Sequence, residues 1–166
     1  MMAPQVSATT TLPATDDGVI AAADRLLLTV DDPEYPGLSI VDLGLVEEVD
    51  AIGSSVVVSL IPTFAGCPAL HMIAADVTTA LEADPRIDSC EVRWLATPLW
   101  SSERITNRAK DRLASSYTVV LRSKDGSLRC PICGNTDVRD QSMVGPTRCR
   151  SIAWCDDCRN PVEVMR

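Results

Sequence analysis

The apolar positions of this chain follow helical and extended periods in turn, and each period names an element. Val19, Ile20, Ala23, Leu26, Leu27 and Val30 recur at helical spacing, which builds one buried helix face. Asp16 or Asp17 caps this helix, and it ends near Asp31-Asp32-Pro33, because proline disfavours helical geometry in the residue before it. Two β-type runs follow at 45–49 and 56–61, and the glycine and short polar residues of 50–55 suit a hairpin between them. Leu70, Ile73, Val77 and Leu81, spaced 3, 4 and 4, predict a second helix that stops at Asp84-Pro85. Residues 90–95 alternate as a half-buried strand, with Cys90, Val92 and Trp94 facing inward. Ile105, Ala109 and Leu113 place a third helix over about 102–114. The order helix, strand, strand, helix, strand, helix predicts an α+β fold, a small mixed sheet with packed helices.

The last third of the chain carries a different signature. Cys130-Pro131-Ile132-Cys133 and Cys155-Asp156-Asp157-Cys158 are two Cys-x-x-Cys pairs. Two intervening residues let a tight turn aim both sulfurs at one ion, and four thiolates complete a tetrahedral shell. Gly134 follows the first pair, where a left-handed backbone is often needed. The 21 residues between the pairs accommodate a hairpin of 138–143 against 148–154 through Gly145-Pro146, the outline of a small β-rich zinc ribbon. Four protein thiolates leave no open coordination position, which makes the site structural. Zinc is the expected ion, with a rubredoxin-type iron as the alternative, since thiolate ligation does not by itself choose the metal.

Charge divides the chain at the same place. Residues 1–116 hold 7 Lys+Arg against 17 Asp+Glu, net 7 − 17 = −10, whereas residues 117–166 hold 8 against 6, net +2. The expected organisation is therefore a flexible leader over 1–15, an α+β domain over 16–116 and the ribbon over 117–166. A total charge of −8 argues against nucleic acid, whose phosphates need a cationic surplus, and against an anionic membrane surface. The apolar runs fall short of the roughly 20 residues that span a bilayer. The leader lacks the charged start and continuous apolar core of a secretory signal, so the expected location is the cytoplasm. Disulfides rarely persist there, and the seven cysteines need another explanation.

Cys67 has the most reactive setting outside the ribbon. It precedes Pro68 at the start of the second helix, where proline favours the first helical position, and where unpaired amides and the helix dipole lower a thiol pKa. On this reading Cys67 is a nucleophile or a metal ligand; the plainer reading is a small thiol in a strand-to-helix turn. His71, one turn further, opens a Cys–His enzyme reading, which also needs an orienting Asn or Asp and an oxyanion hole that nothing marks. Asp31, Asp32, Glu34 and Asp42 cluster before the hairpin, as hard ligands, a docking surface, or turn and capping residues. Cys149 lies six residues before Cys155, on the same side of an extended strand, and is a spare buried thiol or a replacement ligand.

The runs Asp32-Pro33-Glu34-Tyr35-Pro36, Asp42-Leu43-Gly44-Leu45-Val46 and Pro62-Thr63-Phe64-Ala65-Gly66-Cys67-Pro68 resemble the SufT-type iron–sulfur maturation domain family. With Pro98-Leu99-Trp100-Ser101-Ser102 and Gly145-Pro146-Thr147-Arg148-Cys149, the span of about 17–160 resembles the PaaD-type (PaaJ-type) accessory subunits of phenylacetyl-coenzyme A epoxidase systems. The resemblance implies a non-catalytic factor that assists assembly of an iron–sulfur cluster or iron centre in a multicomponent diiron oxygenase. It implies a cluster- or iron-binding site at Cys67, with Asp32, Glu34, Asp42 and Thr63 around it, that holds iron or a cluster transiently. It implies a structural zinc on Cys130, Cys133, Cys155 and Cys158, with Cys149 as a further candidate. The implied partners are oxygenase or reductase subunits, or a second copy of the chain, because one cysteine leaves most of a cluster's positions open. The alternatives are a purely structural or regulatory oxygenase subunit, in which Cys67 only packs, and the Cys–His enzyme.

Overall fold

The computed structural model describes residues 16–165; the leader expected over 1–15 lies outside the described residues. Helix α1 (Asp16–Leu27) buries Val19, Ala22, Ala23 and Leu27. It ends earlier than the proline expected to stop it. The amides of Thr29 and Val30 bond back to the carbonyls of Leu26 and Leu27, and the Thr29 hydroxyl also donates to Leu26, so the last turn closes on itself. The Asp16 carboxylate accepts the Gly53 amide at 3.0 Å, which ties the helix start to the first hairpin.

Strands β1 (Val46–Ile52) and β2 (Ser55–Leu60) form the expected antiparallel hairpin. Helix α2 (Leu70–Glu82) carries the chain to β3 (Ser89–Trp94), which pairs parallel to β2, giving a mixed sheet of order β1-β2-β3. α2 contributes Ile73, Val77 and Leu81 to the core, as its spacing predicts, and Cys90, Val92 and Trp94 pack against the same core from β3. The third helix starts later than expected. Ser102–Arg104 is a short 3-10 turn, Ile105 is extended, and α3 (Asn107–Ser116) begins only where the Thr106 hydroxyl accepts the Ala109 amide as an N-cap.

The C-terminal sheet has more strands than the expected hairpin. β5 (Val138–Ser142) and β6 (Arg150–Cys155) pair antiparallel as anticipated. To these the structure adds β4 (Val119–Val120) and β7 (Asn160–Met165), in the order β4-β7-β6-β5. Val119 and Met165 belong to the same apolar cluster as the α1 and α2 faces, so the two sheets meet across one continuous core. A smaller cluster, including Val120, Ala153, Val162 and Val164, surrounds Cys130 and Cys155.

One glycine fixes how the chain enters β1. Gly44 has φ +71°, and a Cβ there would lie 2.7 Å from the Arg104 carbonyl oxygen. This close approach lets the Arg104 guanidinium donate to the carbonyls of Gly44 and Val46 at 2.7 and 3.0 Å while pairing with Glu47 at 2.7 Å. Gly44→Ala is expected to cost about 1–3 kcal/mol from the left-handed backbone alone, read as a lower urea midpoint; an unchanged midpoint would show that the Arg104 segment yields freely.

Candidate metal centres

The two Cys-x-x-Cys turns have matching local geometry. In the first, the Gly134 amide donates to the Cys130 carbonyl at 2.9 Å; in the second, the Arg159 amide donates to the Cys155 carbonyl at 2.9 Å. Both turns close through a left-handed residue, Gly134 at φ +77° and Arg159 at φ +56°. The sulfurs of Cys130 and Cys158 are 3.6 Å apart, as are those of Cys133 and Cys155, and all four lie within 4.8 Å of one another. A tetrahedral ion with metal–sulfur bonds of about 2.3 Å requires sulfur spacings of about 3.8 Å, so the four thiols fit one ion. Cys130 and Cys155 are buried and Cys133 is exposed, which places the group at the edge of the second sheet. We expect one metal ion per chain by elemental analysis, and a strong chelator should change Trp154 fluorescence while leaving the first sheet's secondary structure in place. Chelation without any change at Trp154 would show that the ion does not hold β6.

Cys149 is not part of that group. It packs instead against the turn that follows α1, its thiol 3.2 Å from a Glu34 carboxylate oxygen and 3.1 Å from the Thr147 hydroxyl. Glu34 stands on a self-bonded turn. The Asp32 carboxylate accepts the Glu34 amide at 2.8 Å, the Tyr35 amide donates to the Asp32 carbonyl at 3.0 Å, and the Asp31 carboxylate accepts the Gly37 amide at 2.6 Å. This turn and the loop before α2 enclose a cavity of about 20 Å³ lined by Asp32, Glu34, Thr63, Cys67 and Cys149, with Tyr35 and Met165 among its walls. A shallower groove of about 390 Å³ lies outside it and shares Glu34, Cys67 and Cys149. A larger cavity of about 680 Å³ between α3 and the second sheet contains none of these residues.

The structure bears on three readings of Cys67 and its surroundings. The first concerns its ionisation: burial pushes the Cys67 thiol up, the Ala69 amide only partly opposes this, and Glu34 and Asp32 push it further. α2 begins at Leu70, so Cys67 lies before the helix, and the amide at Ala69 does not outweigh the burial of the thiol. The second concerns Asp42, which does not line the cavity. Its buried carboxylate accepts hydrogen bonds from Ser39 at 2.9 Å, from Thr106 at 2.9 Å and from Arg108, and so clamps the start of α3. The third concerns His71, which is exposed on α2 and does not line the cavity of Cys67. Burial also pushes Asp32 up, and it pushes Cys149 up to about 11 with help from Glu34.

The Asp42 clamp has a pH signature. Burial alone would raise its carboxyl, but hydrogen bonds from Arg108, Thr106 and Ser39 hold it below the ordinary 3.8. As pH falls through the ordinary value the unfolded chain takes up a proton that the folded chain refuses, so this contribution is present above about pH 4 and is lost as pH falls through the lowered value. Asp42→Asn should cost about 1–3 kcal/mol at pH 7 and flatten the acid limb of stability against pH. An acid limb identical to that of the parent would remove Asp42 as its source.

Comparison with known proteins follows the division seen in the fold. Residues 20–94 match the family described as iron–sulfur cluster assembly protein, and residues 114–166 match the PaaD zinc beta ribbon domain. The chain is 36% identical over 86 residues to the Fe-S protein maturation auxiliary factor SufT of Staphylococcus aureus (strain USA300), covering 51% of this chain and 97% of that one. The chain belongs to the iron–sulfur cluster assembly protein family. This family member is also 29% identical over 148 residues to an Escherichia coli (strain K12) protein named as one subunit of a "Putative 1,2-phenylacetyl-CoA epoxidase", covering 85% of this chain and 88% of the other. Its fold matches the crystal structure of a domain of unknown function, DUF59, from Bacillus anthracis, with a TM-score of 0.56 and 34% identity over 59% of this chain and 93% of that one. Among the described residues, no helix is long and apolar enough to cross a membrane.

Proposed function

We propose that this family member is a cytoplasmic, non-catalytic accessory factor that supplies iron, as an ion or an iron–sulfur cluster, to a multicomponent diiron oxygenase of the phenylacetyl-CoA epoxidase type. The observation that carries this reading is the enclosed cavity in which a thiol, Cys67, faces the carboxylates of Asp32 and Glu34 and the hydroxyl of Thr63. The likeness to the Escherichia coli epoxidase protein over nearly the whole chain supports the choice of client.

The electrostatics of the cavity suit a carrier. A thiol held neutral by burial and two carboxylates is a poor nucleophile, but an arriving cation reverses the balance: the same carboxylates attract it, and as the sulfur binds the cation the thiol proton passes to solvent. Reprotonation then favours release, so cargo is held only while the coordination is complete. The second metal centre has the opposite character. Zinc on Cys130, Cys133, Cys155 and Cys158 would leave no open position and would serve as a cross-link for residues 117–166, which we assign to client docking, while residues 16–116 carry the cargo site.

Cys67→Ala should leave the fold intact and lower the iron content of the client oxygenase or reductase purified from cells. Normal client iron in that variant would sink the maturation reading. The naming of a relative as part of an epoxidase favours a second reading, a structural component of the oxygenase. Stable co-purification with the oxygenase, together with indifference to Cys67→Ser, is its expected result.

A further inference from the structure

Cys67 precedes α2 and Cys149 precedes β6, yet both line the same small cavity. We infer that Cys67 and Cys149, together with the Glu34 carboxylate, form a two-thiolate site for a single ferrous ion, built jointly by the two sheets. The choice of iron rests on the function proposed above; the geometry by itself calls for a thiophilic divalent ion.

The surroundings of Cys149 are those of a ligand rather than of a packing thiol. A cysteine that only fills space needs apolar neighbours, whereas the Cys149 sulfur touches a carboxylate oxygen at 3.2 Å and a hydroxyl at 3.1 Å. The donor set is informative too. Two thiolates with one carboxylate suit iron or another first-row ion and disfavour magnesium or calcium, which prefer all-oxygen shells. The Arg150 guanidinium, 3.7 Å from Glu34 and shared with Glu163 at 2.6 Å, offsets part of the negative charge that two thiolates and the carboxylates of Glu34 and Asp32 bring to a divalent ion.

Size selects the cargo. A cavity of about 20 Å³ holds one water-sized guest and so has room for a single ion, whereas a cluster would have to sit in the adjoining groove of about 390 Å³. Uptake is a ligand exchange without electron transfer: two iron–sulfur bonds replace two iron–water bonds, the two thiol protons pass to solvent, and the metal stays ferrous. Among the described residues, the ribbon cysteines are the group of three or more whose donor atoms already lie within 4.8 Å of one another. The cavity donors are not gathered to that distance, so loading requires them to draw together, which suits a site that must also let go. The second thiolate comes from the chain's own C-terminal sheet, so neither a homodimer nor the client is needed to provide it.

The test uses the zinc-loaded full chain under anaerobic conditions with cobalt(II) as the probe. One further cobalt per chain should bind with a thiolate-to-metal charge-transfer band, and zinc should be retained by elemental analysis. Cys67→Ser and Cys149→Ser should each diminish the band and weaken binding at least about tenfold, and ferrous iron in excess should compete with the cobalt and lower the band. Because Cys149 is buried and its variant risks misfolding, a second measurement uses the parent chain: one equivalent of cobalt should protect both Cys67 and Cys149 from alkylation, read by mass spectrometry. A full band in Cys149→Ser, or protection of Cys67 without Cys149, overturns the shared site and leaves the maturation reading standing. Protection of both thiols alongside normal client iron in Cys67→Ala upholds the site and overturns the maturation reading.

Discussion

The guanidinium of Arg150 stands where the two sheets meet, and its side chain is only 12% exposed. It lies 4.8 Å over the Tyr35 ring, donates to the Tyr35 hydroxyl at 2.9 Å, and pairs with Glu163 of β7 at 2.6 Å. A buried charge is tolerated only when its partners are in place, and removing one partner typically costs about 3–5 kcal/mol. The Glu34-Tyr35 turn is therefore held against β6 and β7, and the residue next to Arg150 is Cys149. The edge-to-face contact of Tyr35 with Tyr117 at 5.2 Å, and the bond from the Tyr117 hydroxyl to the Pro36 carbonyl at 2.6 Å, brace the same junction from the end of α3. The position of Cys149 beside Glu34 is thus a consequence of how one cation is satisfied.

The two metal-binding arrangements differ in what they require before an ion arrives. The ribbon thiols are already gathered by two backbone turns closed by short local hydrogen bonds, so binding freezes little further motion. The cavity is defined instead by contacts between distant parts of the chain, and burial, helped by acidic neighbours, pushes its thiols up. A preassembled all-sulfur shell favours retention, whereas a partly assembled, protonated one favours exchange.

What is legible in the sequence follows the range of the interactions. The Cys-x-x-Cys turns, the α2 face and the alternation of β3 depend on neighbours a few residues apart, and each is readable. The partnership of Cys149 with Glu34 spans 115 residues and leaves no local trace. β7 is hidden by Pro161, which usually argues against a central strand. β4 reaches only Glu163 and Val164, so Pro161 has a strand on one side alone, an edge-like position in which its missing N–H is tolerated. The start of α3 is obscured because Ile105 fits the helical spacing but is held extended by the Thr106 cap. The state of the Cys67 thiol is obscured because the helix begins three residues later and because the burial that raises it, with the carboxylates that add to it, comes from a distant segment.

β7 is the last strand in chain order, yet it is flanked by β4 and β6. A polypeptide leaving the ribosome at about 5–20 residues per second can complete the first sheet and α2 some seconds before β7 is available. Until then Met165 is missing from the wall around Cys67, and the junction lacks Glu163. The cavity around Cys67 thus takes its finished form only after the bulk of the fold exists. A prematurely terminated chain lacking β7 could retain the first sheet while leaving a reactive sulfur in an open cleft, so translation order itself separates foldable fragments from competent carriers.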